Sequence, residues 1–322
     1  MSGFELKPLH SRIPKYRITR NIEVAIPAPR EVSQPANEYW KRFYQDKDDL
    51  VRAWHEARVE GKIPSDRMFG SMLSRGVLDV DELPEPYLGF PHEKIEAVML
   101  NLNPGGSAGR LDDTKKYNSE KGNNPLFDYF VDHGKSYYEF IRQYSSLYSK
   151  LSPLNGTKFE VCGVKDFWQG KDGNGGRVKW LRQIYANPNL SSDRVFALEI
   201  CPYHSLQTDG FQNEVLNMPQ EAMKDVVSPA AVAVIENRLP FATCVGVVYD
   251  RLFQGLKRSS CKGKWTKQNR TYTLYEVFGD WDSCKEAAHF LVTWAPGGNN
   301  APAKEYVDIE EEVRKTIGVG NQ

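Results

Sequence analysis

The sequence predicts an α/β fold, a three-layer α/β/α sandwich built on a central four-stranded parallel sheet, and three observations carry that expectation. Four short segments are aliphatic enough to be strands buried on both faces: residues 95–102, RVFALEIC at 194–201, FATCVGVV at 241–248 and HFLVT at 289–293. Patterns of helical period lie between them, and strands that alternate with helices assemble into parallel sheets. The 322 residues are 40% apolar and 12% aromatic, enough to enclose a substantial core.

Residues 1–36 are basic and proline-bearing, with Lys7, Arg12, Lys15, Arg17 and Arg20 outnumbering acids, and read as an arm or an extended edge. From Asn37 the residues Trp40, Phe43, Tyr44, Leu50, Val51 and Trp54 recur at helical spacing, which predicts an amphipathic helix laid on the core. A long stretch, 107–193, separates the first two strands. It holds an aromatic-rich helix pair at about 126–151, a glycine-rich loop at 169–176, and a helix containing Trp180 and Ile184. Ser228 is a plausible N-cap with Pro229 at the first helical position, opening a helix that places Val232, Ile235 and Leu239 on one face. Another helix follows the third strand, from about Tyr249 to Leu256. TYTLYEVF at 271–278 alternates and suits an extra edge strand, and the charged segment 308–317 reads as a closing helix. Residues 1–90 thus form an arm and helical extension, and 91–322 a core with its insertion at 107–193.

Composition removes several classes of function. Formal net charge is zero, so the whole-molecule field announces no polyanion partner and any nucleic-acid surface must be local. Six basic side chains do crowd into 257–270, a run that is an ordinary solvated loop unless it lies beside a cleft. The five cysteines are scattered, odd in number and never arranged as CxxC, which points to reduced thiols in a cytoplasm and argues against a zinc or iron–sulfur site. No apolar run approaches the roughly 18 residues that span a bilayer, and no signal-peptide pattern opens the chain. A cytoplasmic monomer with no cofactor, no metal and no membrane partner is expected.

The first buried strand runs into Asn101-Leu102-Asn103-Pro104-Gly105-Gly106-Ser107-Ala108-Gly109. In open parallel sheets the catalytic apparatus collects beyond the carboxyl ends of the strands, so Asn103 is delivered to the mouth of a cleft. Gly105 and Gly106 allow a substrate backbone to approach closely. A turn of matching character, Thr293 to Pro302 (TWAPGGNNAP), ends the fourth strand. Two such loops at one rim form a clamp able to hold a phosphodiester through main-chain N–H groups. Gly105, Gly106, Ser107, Gly297, Gly298 and Asn299 are the residues placed to do so.

These two loops, with the order of strands between them, resemble the uracil-DNA glycosylase superfamily over roughly residues 90–305. NLNPGGSAG is similar to the first motif of its mismatch-specific and single-strand-selective branches, which carry asparagine where the classical enzymes carry aspartate. The resemblance implies a monofunctional DNA glycosylase that flips a nucleotide, hydrolyses its N-glycosidic bond and leaves an abasic site. The superfamily includes bacterial antiphage members that excise hypermodified phage bases.

Such hydrolysis needs one placed water and stabilisation of the departing base. Asparagine is a poor proton acceptor but orients water through its carbonyl oxygen, so Asn103 would act by positioning. Asn101, two residues earlier on the same strand face, would assist it or would be a buried amide that satisfies backbone. In the resemblance Glu199 falls where the classical enzymes read uracil with asparagine. A carboxylate there favours the exocyclic amine of a cytosine edge. Its competing role is an ion pair with Arg182. Tyr203, His204 and Ser205 follow at the strand mouth as substrate contacts. Tyr117, or alternatively Phe127, has the spacing of the family's base-stacking aromatic, though either would serve equally as core. Two departures stand out: Ala295 occupies the usual place of the second motif's histidine, and Asn299 stands where a bulky apolar wedge is common. No lysine lies in either motif, so no Schiff-base lyase step is indicated. A modified cytosine is therefore favoured over uracil or mismatch repair. A nucleotide or phosphometabolite binder is disfavoured because no GK[ST] ending follows the first turn. A catalytically silent DNA-binding relative also fits Ala295.

Overall fold

A computed structural model describes residues 37–78, 80, 84–102, 136–139, 176–191, 194–204, 210–267, 270–281, 286–294 and 307–318. Its centre is a mixed sheet of seven strands: β1 (Tyr87–Leu88), β2 (Ala97–Asn101), β3 (Val195–Glu199), β4 (Ala242–Val245), β5 (Ser259–Lys267), β6 (Arg270–Phe278) and β7 (Ala287–Trp294). The spatial order is β1-β3-β2-β4-β7-β6-β5. The chain is therefore α/β, but the expected four-stranded parallel sheet is corrected to a larger mixed one. The four aliphatic runs form its parallel middle, β3-β2-β4-β7: β2, β3 and β4 are buried along their length, β7 is buried from Phe290 to Thr293, and each pairs on both sides. Short β1 lies antiparallel on β3, and the β5–β6 hairpin lies antiparallel on β7.

That hairpin corrects two further expectations. TYTLYEVF is not an edge strand, since β5 covers its outer side. The basic run beside it is not a loop but β5 itself, SSCKGKWTK. Its sequence lacks apolar alternation because an outermost strand has less to bury; Ser260, Cys261, Lys262, Lys264 and Thr266 are exposed.

The helix expected from Asn37 is α1 (Glu38–Val59), capped by the Asn37 side chain, which accepts the Tyr39 N–H at 2.8 Å. Trp40 and Phe43 of α1 meet Phe196 edge to face, each with centroids 5.9 Å apart. A short α2 (Gly70–Ser74) follows, then α3 (Gly176–Ile184), which leads into Tyr185. The Tyr185 hydroxyl lies 2.9 Å from the carbonyl oxygens of both Val98 and Phe241, and it accepts from Thr243 at 3.3 Å. Phe196 is level with Val98, whereas Thr243 is level with Met99. Successive strand residues point to opposite faces, so α1 and the end of α3 cover opposite faces of the sheet. Gly89 adopts φ +86° where β1 turns beside β3, and a Cβ there would lie 2.1 Å from the Val195 carbonyl oxygen. Only glycine fits.

Beyond β3 come α4 (Phe211–Asn217) and α5 (Pro219–Ala222), then a π-helical segment (Met223–Val227) leading into α6 (Ser228–Glu236). Ser228 is consequently not an N-cap; its φ −61° and ψ −49° are helical. Pro229 has no N–H for the Asp225 carbonyl four residues back, and a widened turn sits immediately before it. The buried Lys47 ammonium of α1 donates to that carbonyl at 3.2 Å. The helices α7 (Val247–Gly255) and α8 (Val307–Ile317) complete the described elements.

Candidate functional site

The parallel pairing of β2, β4 and β7 sends the chain out of Asn101 and out of Trp294 at the same rim. Asn101 and Glu199 are register partners on adjacent strands and share a face. The Asn101 Nδ2 donates to Glu199 Oε1 at 2.8 Å, with the two residues 5% and 8% exposed. This bond fixes the carboxamide, directing its nitrogen at Glu199 and turning Oδ1 away. Asn101 Oδ1 is buried and has no hydrogen-bond partner among the described residues. Buried polar atoms are nearly always satisfied, so this acceptor stands out among the described residues.

The backbone of Asn101 is clamped as well. Its carbonyl oxygen accepts the Ile200 N–H at 3.2 Å and the Tyr249 hydroxyl at 2.5 Å. Gly246, at φ +121°, breaks β4 into α7, and a Cβ there would sit 3.0 Å from the Leu102 side chain. This close passage lets α7 bring Tyr249 to β2. Burial, with Cys244 and Glu199 adding, pushes the Tyr249 phenol well above its ordinary value, so it remains a donor. Continuing the β2–β4 register by one residue sets Asn101 level with Val245, whose partner on β7 is Thr293. The Thr293 Oγ1 is likewise buried with no hydrogen-bond partner among the described residues. A carboxylate, a carboxamide and a hydroxyl thus line one row of the rim.

The remaining predicted residues divide into two groups. Tyr203 is buried and its hydroxyl bonds to Asp66, and burial followed by the Asp66 charge raises the phenol. Asp66 in turn accepts the N–H groups of Phe69 at 2.6 Å and Met68 at 2.9 Å. His204 is buried, its Nε2 lying 3.5 Å from Glu85 Oε1. Both therefore tie the β3 exit to preceding segments. Arg182 donates through Nε to the Leu190 carbonyl, while Glu199 takes the Asn101 amide. Asn103, Gly105, Gly106, Ser107, Tyr117, Phe127, Ser205, Ala295, Gly297, Gly298 and Asn299 lie outside the described residues.

Beside the β3 exit is a cavity of about 260 Å³, lined by Glu199, Ile200, Pro202, Asp66, Asp46 and Lys47 among others. Sequence reasoning missed Tyr249, Thr293, Asp66 and Lys47. The glycine that ends FATCVG was the available signal for Tyr249, since a helix starting there must return a side chain to the rim.

Among the described residues no group of three or more His, Cys, Asp or Glu side chains is arranged to hold a metal ion. No described helix is long and apolar enough to cross a membrane. No family model, no curated protein and no solved structure matches this chain.

Proposed function

We propose that the chain is a monofunctional DNA glycosylase that removes a flipped, modified cytosine by hydrolysis and leaves an abasic site. The observation that carries this reading is the Asn101–Glu199 pair at the rim where β2 and β7 end, each followed in sequence by a glycine-proline stretch. A base held there meets a carboxylate whose acceptor chemistry suits an exocyclic amine. Asn103 lies two residues beyond Asn101, and the bonds from Ile200 and Tyr249 fix the backbone that leads to it. A carboxamide delivered by a rigid strand can hold a water beneath the sugar, where effective concentration replaces base strength. Helices on opposite sheet faces agree with the sandwich that the resemblance implies.

Duplexes containing uracil, hydroxymethylcytosine or its glucosylated form, incubated with the protein and assayed for released base, test the proposal. Release of a modified cytosine is the expected result, and Asn103→Ala should abolish it while DNA affinity persists. Release of uracil alone rejects the modified-cytosine target; no release from any duplex rejects the activity on these bases.

A further inference from the structure

We infer that the rim end of the β5–β6 hairpin, centred on Lys264, is a contact surface for the phosphodiester backbone of duplex DNA. The proposed function supplies only the identity of the polyanion; the surface itself comes from charge and register. Between Asp250 and Glu276 the chain has no acidic residue, yet it carries Arg251, Lys257, Arg258, Lys262, Lys264, Lys267 and Arg270. The sequence could not say whether this charge lay near the site. The pairing decides it.

Lys264 pairs with Thr273, Thr273 with Val292, Val292 with Cys244, and Cys244 with Leu100. Lys264 is therefore level with Leu100, the residue before Asn101, on the outermost strand of the same sheet, and by the alternation of strand side chains it shares the face of Leu100, opposite that of Asn101. The far end of the hairpin differs. Ser259 pairs with Val277, so Lys257 and Arg258 lie at the opposite end of β5, away from the rim. Three of the basic side chains are not available to such a surface: Lys262 bonds Glu276 at 2.8 Å, Arg258 approaches Asp280 at 3.9 Å, and Arg270 is buried and engaged within the fold. Lys264 is exposed and adjoins the exposed hydroxyl-bearing Thr266 across Trp265.

The span suits DNA. β5 is four strands from β2, roughly 19 Å at about 4.8 Å per strand. At about 3.4 Å per step, a duplex lying across the rim would bring Lys264 against phosphates about five to six steps from a nucleotide at Asn101. Lysines on an edge strand also discourage strand-to-strand aggregation, and that role predicts no dependence of DNA binding on Lys264.

Anisotropy titrations with a labelled unmodified duplex, from about 50 to about 200 mM salt, separate the two. One lost phosphate contact lowers the log–log salt slope by about 0.9, so wild type should lose about 3.5-fold more affinity over that range than Lys264→Ala. Lys264→Arg should keep the wild-type slope, and Lys257→Ala, at the far end, should match wild type. An unchanged slope in Lys264→Ala, or an equal fall in Lys257→Ala, overturns the surface. Because unmodified DNA needs no turnover, absence of base release with a Lys264-dependent slope rejects the chemistry alone. Base release with an unchanged slope rejects the surface alone, and absence of any DNA binding rejects both.

Discussion

Asn101 and Glu199 come from segments about a hundred residues apart in sequence, yet they are direct register partners joined by a 2.8 Å hydrogen bond from carboxamide to carboxylate. The pair couples the strand that leads to Asn103 with the strand that the resemblance assigns to base reading. Its energetics are those of a buried charge-assisted bond, about 1.5–3 kcal/mol.

Replacing Asn101 by aspartate tests that coupling. Two carboxylates would then share a buried site, and one must hold a proton. Asn101→Asp should unfold at a lower temperature than wild type near pH 8 and recover much of the difference near pH 5, where that proton is supplied. Asn101→Ala should lose about 1–3 kcal/mol with little added pH dependence. Melting curves across pH check both, and equal behaviour of the two variants would contradict the pairing.

Asp48 provides a second pH signature. Burial pushes its carboxyl up to about 6, opposed by hydrogen bonds from the Tyr138 and Tyr137 N–H groups and the Ser136 side chain. The folded state therefore retains a proton that the unfolded state, titrating near 3.9, releases between those values. Stability from this group rises as pH falls from about 6 toward about 4. In Asp48→Asn that component should vanish, which proton-linked melting will show as uptake of about one proton fewer on folding in that window.

Lys47, Asp225 and Pro229 form a testable triangle. The Lys47 ammonium occupies the carbonyl that Pro229 cannot serve, and burial lowers the Lys47 pKa, opposed by Asp225, Asp46 and Asp66. Lys47→Met should cost about 1–3 kcal/mol by leaving that carbonyl without its donor. In a Pro229→Ala background, where a backbone N–H is restored, the same change should cost measurably less. Denaturant titration of the four species gives the coupling, and strict additivity would mean that the contact does not depend on the proline.

What the sequence determined by itself was the set of buried strands and the ends from which the loops leave. Runs such as AVML at 97–100 and VFAL at 195–198 have no polar face, and such a segment can be stable only with sheet and helices on both sides. The α1 helix was equally legible, since its aromatic stripe and Asn37 cap act locally. Tertiary structure alone decided the rest. SSCKGKWTK became a strand because β6 had an open edge to pair with, a demand that no residue of β5 announces. Ser228 looked like a helix start, but the turn preceding Pro229 widened and continued, with Lys47 from a distant helix meeting its carbonyl. Glu199 found Asn101 rather than Arg182 because register, a property of two strands together, sets which side chains are neighbours. Local patterns fix which face of a segment is buried; partners across a sheet depend on how separate segments align, and no single segment encodes that alignment.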